Sequence, residues 1–221
     1  MKGKTSWFLA LGFMALLLGA GGAAQATTIT VVSDANTLGA ALGAGIPSSG
    51  IVATLDSGNT SGLTFGSVLV GGYGTFTSVP TGAPSSASVI NLSPGDGESG
   101  FFMVTFALPS GFTGVTLSGA ANADDLGRLF LNGTALTPSL YSGNGISEFG
   151  NYQFSTSDST MFHSGTNVII LADDNAGGGP SGAAFYANIS YAASAVPIPG
   201  AVLLLAPGLA GLAAMRRRLN K

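Results

Sequence analysis

The sequence predicts an all-β domain, a sandwich or barrel, held between two apolar terminal segments. Three observations predict it. Short apolar or alternating runs recur between turns rich in Gly, Pro, Asn and Ser. No convincing amphipathic helix is visible between Thr27 and Ala195. Residues 27–192 amount to one domain, long enough to bury a sizeable core.

Residues 1–26 have the parts of a secretory signal peptide, a signal helix removed on export. Lys2 and Lys4 form the basic start, and residues 7–19 an apolar run too short to span a bilayer well. Ala24-Gln25-Ala26 is a small-x-small site for signal peptidase, leaving Thr27 as the first mature residue. An uncleaved anchor is the alternative.

The strands follow in order. Residues 29–32 and 51–55 are short apolar runs, and 63–70 alternate loosely until Gly71-Gly72. Residues 88–92 lead into the turn Ser93-Pro94-Gly95-Asp96-Gly97. Residues 101–108 and 167–172 are apolar on both faces, as central strands are. Residues 112–118 follow a Pro-Ser-Gly turn. Residues 126–131 end at Asn132-Gly133, a hairpin signal. Residues 183–191 alternate: Phe185, Ala187, Ile189 and Tyr191 lie on one face, Tyr186, Asn188 and Ser190 on the other. No exact internal repeat is visible.

Charge narrows the partners. Of seven Lys and Arg, two lie in the leader and four in the tail, so Arg128 alone faces all ten Asp and Glu of the central domain, a net charge of −9. No nucleic acid is expected as partner, because Lys and Arg must neutralise its phosphates. A divalent cation suits this balance better, although acidic residues also serve plain solubility. There is no cysteine, so no disulfide is used.

The catalytic inventory is thin, and no enzyme is expected. His163 is the one histidine and reads as an exposed turn residue, and no Gly-x-Ser-x-Gly elbow occurs. Zinc lacks ligands. The acidic pairs Asp124-Asp125 and Asp173-Asp174 read as polar turns or, converging with Asn175, as a structural Ca²⁺ site of carboxylate and carbonyl oxygens. The single tryptophan, Trp7, leaves with the leader. Tyr141 and Tyr152 flank the loop 142–151 and either stack on a sugar or pack at the sandwich edge.

The chain closes with VPIPGAVLLLAPGLAGLAAMRRRLNK. Val196-Pro197-Ile198-Pro199 is a kinked, non-helical approach. From Val196 to Met215 there are 20 residues without charge, about the length of a transmembrane helix. Arg216, Arg217 and Arg218 follow, a cluster that stays on the cytoplasmic side. This order, over residues 193–221, resembles the PEP-CTERM family of bacterial sorting tails in its Val-Pro-x-Pro variants. Ile198 stands where the commonest form has Glu. The resemblance implies a signal read by an exosortase-type membrane peptidase. It also implies export to the membrane, the cell surface or the extracellular matrix. A plain anchor that is never cut is the alternative, and Pro207-Gly208 in mid-span speaks against it.

A second resemblance covers about 60 residues. Its pieces are Ala123-Asp124-Asp125-Leu126 running to Leu131-Asn132-Gly133, then Gly165-Thr166-Asn167, then the loop 173–182 with Gly178-Gly179-Pro180. In this order they are similar to the galactose-binding-like jelly roll. The resemblance implies a jelly-roll β-sandwich whose motifs are largely structural, and many such modules bind sugars. A sugar would meet loops at one rim: Asp124, Asp125, Arg128, Tyr141 and Asn175 are the candidates. Arg128 either holds a uronic acid carboxylate or pairs with an aspartate. The expected function is a non-catalytic structural or interaction protein; the alternative is a weak module for exopolysaccharide.

Overall fold

The computed structural model describes residues 25–42, 48–71, 78–92, 99–140, 146–147, 151–175 and 182–194, and eight positions between 205 and 218. Two units separate: Ala26–Ala193, and Met1–Gln25 with Ser194–Lys221. The first unit is a sandwich of two antiparallel sheets.

The strands are β1 (Ala26–Val32), β2 (Leu38–Ala41), β3 (Gly66–Ser67), β4 (Leu69–Val70), β5 (Ile90–Asn91), β6 (Gly100–Leu108), β7 (Thr113–Ala123), β8 (Leu126–Leu131), β9 (Thr134–Ala135), β10 (Ile146–Ser147), β11 (Tyr152–Thr156), β12 (Gly165–Asp174) and β13 (Ala183–Ala192). A helix, α1 (Ser48–Ser57), falls between β2 and β3, and a 3-10 turn (Ser159–Met161) follows β11. The six-stranded sheet runs β11-β7-β13-β5-β4, with β1 also on β13. The seven-stranded sheet runs β10-β8-β12-β6-β2-β3, with β9 on β8.

Alternation builds the core. Phe102, Val104 and Phe106 of β6, Leu129 and Leu131 of β8, and Ile169 and Leu171 of β12 meet Leu117 of β7, Phe154 of β11, and Phe185 and Ile189 of β13. Each fully buried side chain of this size contributes about 1.5–3 kcal/mol. Leu129, Leu131, Ile170 and Phe185 are all buried. Ile170, however, lies in a second layer. It joins Phe101, Phe130 and Ala172 on the other face of the seven-stranded sheet, packed with Leu42, Leu55 and Leu140. Leu55 comes from α1, which explains why β6 and β12 are apolar on both faces: one face meets the other sheet and the opposite face meets the helix layer.

This corrects the reading of residues 51–55 as an extended run: they form the middle of α1. A short apolar run has no period long enough to tell strand from helix. The alternation at 63–70 survives only as the two-residue strands β3 and β4. The Asn132-Gly133 turn forms as expected: both residues have positive φ (50° and 80°), and β8 folds back on β9.

The expected signal peptide, residues 1–26, lies outside the described residues except for Gln25 and Ala26. Of the tail, Val196, Pro197, Pro199 and Arg217 lie outside them. Leu205, Leu209, Leu212, Met215, Arg216 and Arg218 are helical and exposed. Among the described residues no helix is long and apolar enough to cross a membrane.

Candidate ligand-binding surfaces

The acidic end of the sandwich is assembled by the backbone. Asp124 N–H donates to the Gly182 carbonyl and Asp125 N–H to the Asp174 carbonyl, each at 3.0 Å. The two aspartate pairs therefore lie side by side, as the sequence suggested. Their side chains differ from the expectation of open polar turns. Asp124, Asp173 and Asp174 are buried, and Asp173–Asp174 end β12 rather than sit in a turn. Successive strand residues point to opposite faces, so Asp173 and Asp174 diverge. Asp174 Oδ1 accepts from Ser99 Oγ at 2.9 Å, and that oxygen accepts in turn from Asn175 N–H at 3.1 Å. Among the described residues no group of three or more His, Cys, Asp or Glu side chains could hold a metal ion. The convergence imagined for Ca²⁺ at Asp124, Asp125, Asp173 and Asp174 is thus not formed by these four residues.

Arg128 has a different partner from the ones near it in sequence. It forms an ion pair with Asp56 of α1 at 2.7 Å, donates to the Asp56 carbonyl, and lies over the Phe130 ring at 5.4 Å. Asp56 also accepts from Ser139 Oγ (2.8 Å) and Leu140 N–H (3.0 Å). Burial works to raise the Asp56 carboxyl. The Leu140 amide, the Ser139 hydroxyl and the Arg128 guanidinium outweigh it and hold the group below its ordinary range. Arg128 thus clamps the helix layer to β8; it is not held out to a uronic acid.

Of the other rim candidates, Asn175 is half-buried at the end of β12. Tyr141 and most of the loop 142–151 lie outside the described residues. His163 is exposed in the turn before β12, as expected.

The surface that the residue-by-residue reading missed is the outward face of the six-stranded sheet. α1 covers part of the outer face of the seven-stranded sheet; on the six-stranded sheet Thr116, Ser118, Gln153 and Ser155 are exposed, while Ala120, Asn122 and Ala184 on the same face are buried. Its outward positions are Thr28 and Thr30 on β1, Tyr186, Asn188 and Ser190 on β13, Thr116 and Ser118 on β7, and Gln153 and Ser155 on β11. Thr30 Oγ1 donates to Asn188 Oδ1 at 2.7 Å, and the Thr28 and Ser190 hydroxyls lie 3.0 Å apart. A shallow depression of about 290 Å³ is lined by Ser118, Gly119, Gln153, Phe154, Ser155, Tyr186 and Asn188. Gly119 admits no side chain, since a Cβ would run into the Tyr186 carbonyl and come within 2.8 Å of the Phe154 ring. The segment 78–83 borders this face. Asn122 Nδ2 donates to the Ser78 carbonyl (3.3 Å), Thr81 N–H donates to Asn151 Oδ1 (2.9 Å), and a Cβ on Gly82 would sit 3.2 Å from the Tyr186 hydroxyl. The signal was the clean alternation of residues 183–191, read for its buried half.

No protein-family model matches the chain, and comparison with curated proteins gives no match. Among solved structures it is similar to the native structure of a family 35 carbohydrate-binding module from Clostridium thermocellum, at 14% identity and a TM-score of 0.37. The match covers 72% of this chain and 97% of that one. A likeness at this level carries no functional inference.

Proposed function

We propose that the chain is an exported protein, sorted by an exosortase-type peptidase to the envelope or extracellular matrix, with a non-catalytic structural or interaction role. The observation that carries this is the order Val196-Pro197-Ile198-Pro199, uncharged stretch, Arg216-Arg217-Arg218, in a chain whose residues 1–26 have the parts of a secretory leader. The fold is compatible with processing at both ends. β1 and β13 pair along their length, from Ala26 with Ala192 to Val32 with Tyr186. Cuts before Thr27 and near Pro199 therefore leave this ladder intact except for Ala26. The sandwich is read as a jelly roll of the galactose-binding-like kind, supported by Asn132 and Asn167, whose side-chain amides bond each other and the carbonyls of Met161, His163 and Gly165. A non-catalytic role is supported by the engagement of Arg128 and the burial of Asp124, Asp173 and Asp174.

The test is terminal mass spectrometry of the protein from the surface fraction of its host. A mature chain starting at Thr27 and ending near Pro199 is expected. Recovery of intact Lys221 overturns the sorting reading and leaves a plain anchor. A second reading, a weak carbohydrate-binding module, is favoured by the hydroxyl- and amide-lined depression on the six-stranded sheet.

A further inference from the structure

We infer that the outward face of the six-stranded sheet, centred on Tyr186, is a binding strip for a neutral glycan chain; this rests on the carbohydrate-binding reading and names its site and ligand class.

The face is built of side chains that both donate and accept. Register places Thr30, Asn188, Ser118 and Ser155 in one row across β1, β13, β7 and β11. Tyr186, Ala120 and Gln153 form the neighbouring row. Strands lie about 4.8 Å apart, so a hydroxyl or an amide recurs at each step of the first row. Sugar hydroxyls also donate and accept, and a polymer repeats them. The Thr30 bond fixes the Asn188 amide with its oxygen toward β1, so its Nδ2 donors turn elsewhere. In the neighbouring row Ala120 is buried, Tyr186 is half-buried and Gln153 is exposed, so the accessible strip is the first row with Gln153 and the Tyr186 edge beside it. Gly119 lies on the core-facing side with Leu117 and Ala121, where a Cβ would meet the Phe154 ring, so β7 lies close over Phe154 beneath the depression. Tyr186 supplies an aromatic ring with an apolar surface and a polar tip, suited to the mixed character of a pyranose.

Charge selects the class. Every outward side chain on this face of β1, β7, β11 and β13 is uncharged. The domain as a whole carries −9, with Arg128 its one cation and that cation paired to Asp56. An acidic polymer gains no cation here and meets a repelling field. A protein partner would want large apolar or Arg anchors at the centre of the contact, and Tyr186 is the only such residue among these positions.

The experiment uses the full-length chain in a detergent without a sugar headgroup. Neutral hexasaccharides (cellohexaose, laminarihexaose, mannohexaose) and hexagalacturonic acid are titrated and followed by NMR line changes. Binding of at least one neutral hexasaccharide is expected at dissociation constants on the order of millimolar, with the acidic oligomer at least about tenfold weaker. Ser118→Arg puts a bulky cation into the depression from an exposed position; it should weaken neutral binding at least about tenfold without moving the melting temperature. Tyr186→Ala should do the same to binding. Neutral binding that survives both changes places the sugar elsewhere and overturns this site while sparing the carbohydrate reading. Preference for the acidic oligomer overturns the ligand class. No binding of any sugar by the unaltered chain removes the carbohydrate reading and this site with it.

Discussion

Asn132 donates from Nδ2 to Oδ1 of Asn167 at 2.8 Å, and the two amides together tie three segments of the chain. Asn132 also donates to the Met161 carbonyl and accepts from Val168 N–H. Asn167, fully buried, accepts from His163 N–H and donates to the carbonyls of His163 and Gly165. The tip of the β8–β9 hairpin, the chain after the 3-10 turn and the start of β12 are therefore locked by side chains, where no strand ladder can serve their backbone groups.

Asn167→Ala should thus be among the costlier polar substitutions. It leaves buried donors and acceptors unpaired, at about 1–3 kcal/mol for each group left wanting. A total near 3 kcal/mol lowers the melting temperature by roughly 6–12 °C. Thermal unfolding followed by circular dichroism measures it; a shift under about 2 °C would mean the network is ornamental.

The Arg128–Asp56 pair predicts a pH dependence. The Asp56 carboxyl is held below its ordinary range in the folded state, so it contributes stability above the unfolded-state value. That contribution is lost as pH falls through the lowered folded-state value, beginning near about pH 4. Asp56→Asn keeps an acceptor for Ser139 and Leu140 but removes the charge facing Arg128. It should cost about 1–2 kcal/mol at neutral pH, and the gap from the unaltered protein should close in acid. Urea midpoints across pH measure the gap. A gap constant down to pH 3 would assign the cost to packing.

Much of the sandwich was legible because its central strands carry their own punctuation. β6, β8, β12 and β13 stand close to the predicted apolar runs, and Asn132-Gly133 turns as its backbone preferences require. What was not legible lay between layers. Residues 51–55 hold too little period to declare a helix, and only the tertiary fold brings Asp56 to Arg128, 72 residues away. β11 was missed because Tyr152–Thr156 offers just Tyr152 and Phe154 on its inner face. The acidic pairs were placed correctly in the chain and wrongly in the solvent: Asp173 alternates with Leu171 and Ile169 and so falls on the side of β12 that faces the other sheet.

Leu131→Ala probes the inter-sheet layer. Leu131 is fully buried on β8 among side chains of both sheets. Truncation removes transfer energy and leaves a cavity, together about 2–5 kcal/mol. Denaturant unfolding checks this. A cost below about 1 kcal/mol would show a core able to collapse around the loss.

Calcium gives a different kind of prediction. Asp173 and Asp174 diverge, and Asp174 is already bonded to Ser99. A cation bound only by the folded state would raise the melting temperature with its concentration. The expected result is agreement within about 1 °C between chelator and millimolar calcium. A rise of several degrees would mean that carboxylates beyond these four complete a site.

The final prediction concerns the arginines of the tail. The uncharged stretch Val196 to Met215 is long enough to cross a bilayer, and Arg216, Arg217 and Arg218 follow it directly. Carrying an arginine into hydrocarbon costs about 2.5–3.5 kcal/mol on insertion scales, so on the proposed sorting reading three in a row would make a firm stop on the cytoplasmic side. If that reading holds, replacing all three by Gln should weaken that stop and remove part of the proposed sorting signal. The chain should then either be released uncut or accumulate unprocessed in the membrane, with its C-terminus intact in both cases. A second variant, Pro197→Ala with Pro199→Ala, leaves the stretch and the arginines in place and alters only the approach to the membrane. It should accumulate at the membrane with Lys221 retained. Fractionation with C-terminal peptide mapping in the native host separates these outcomes. If both variants are trimmed near position 199 at the unaltered rate, neither the proline motif nor the arginine run is the signal.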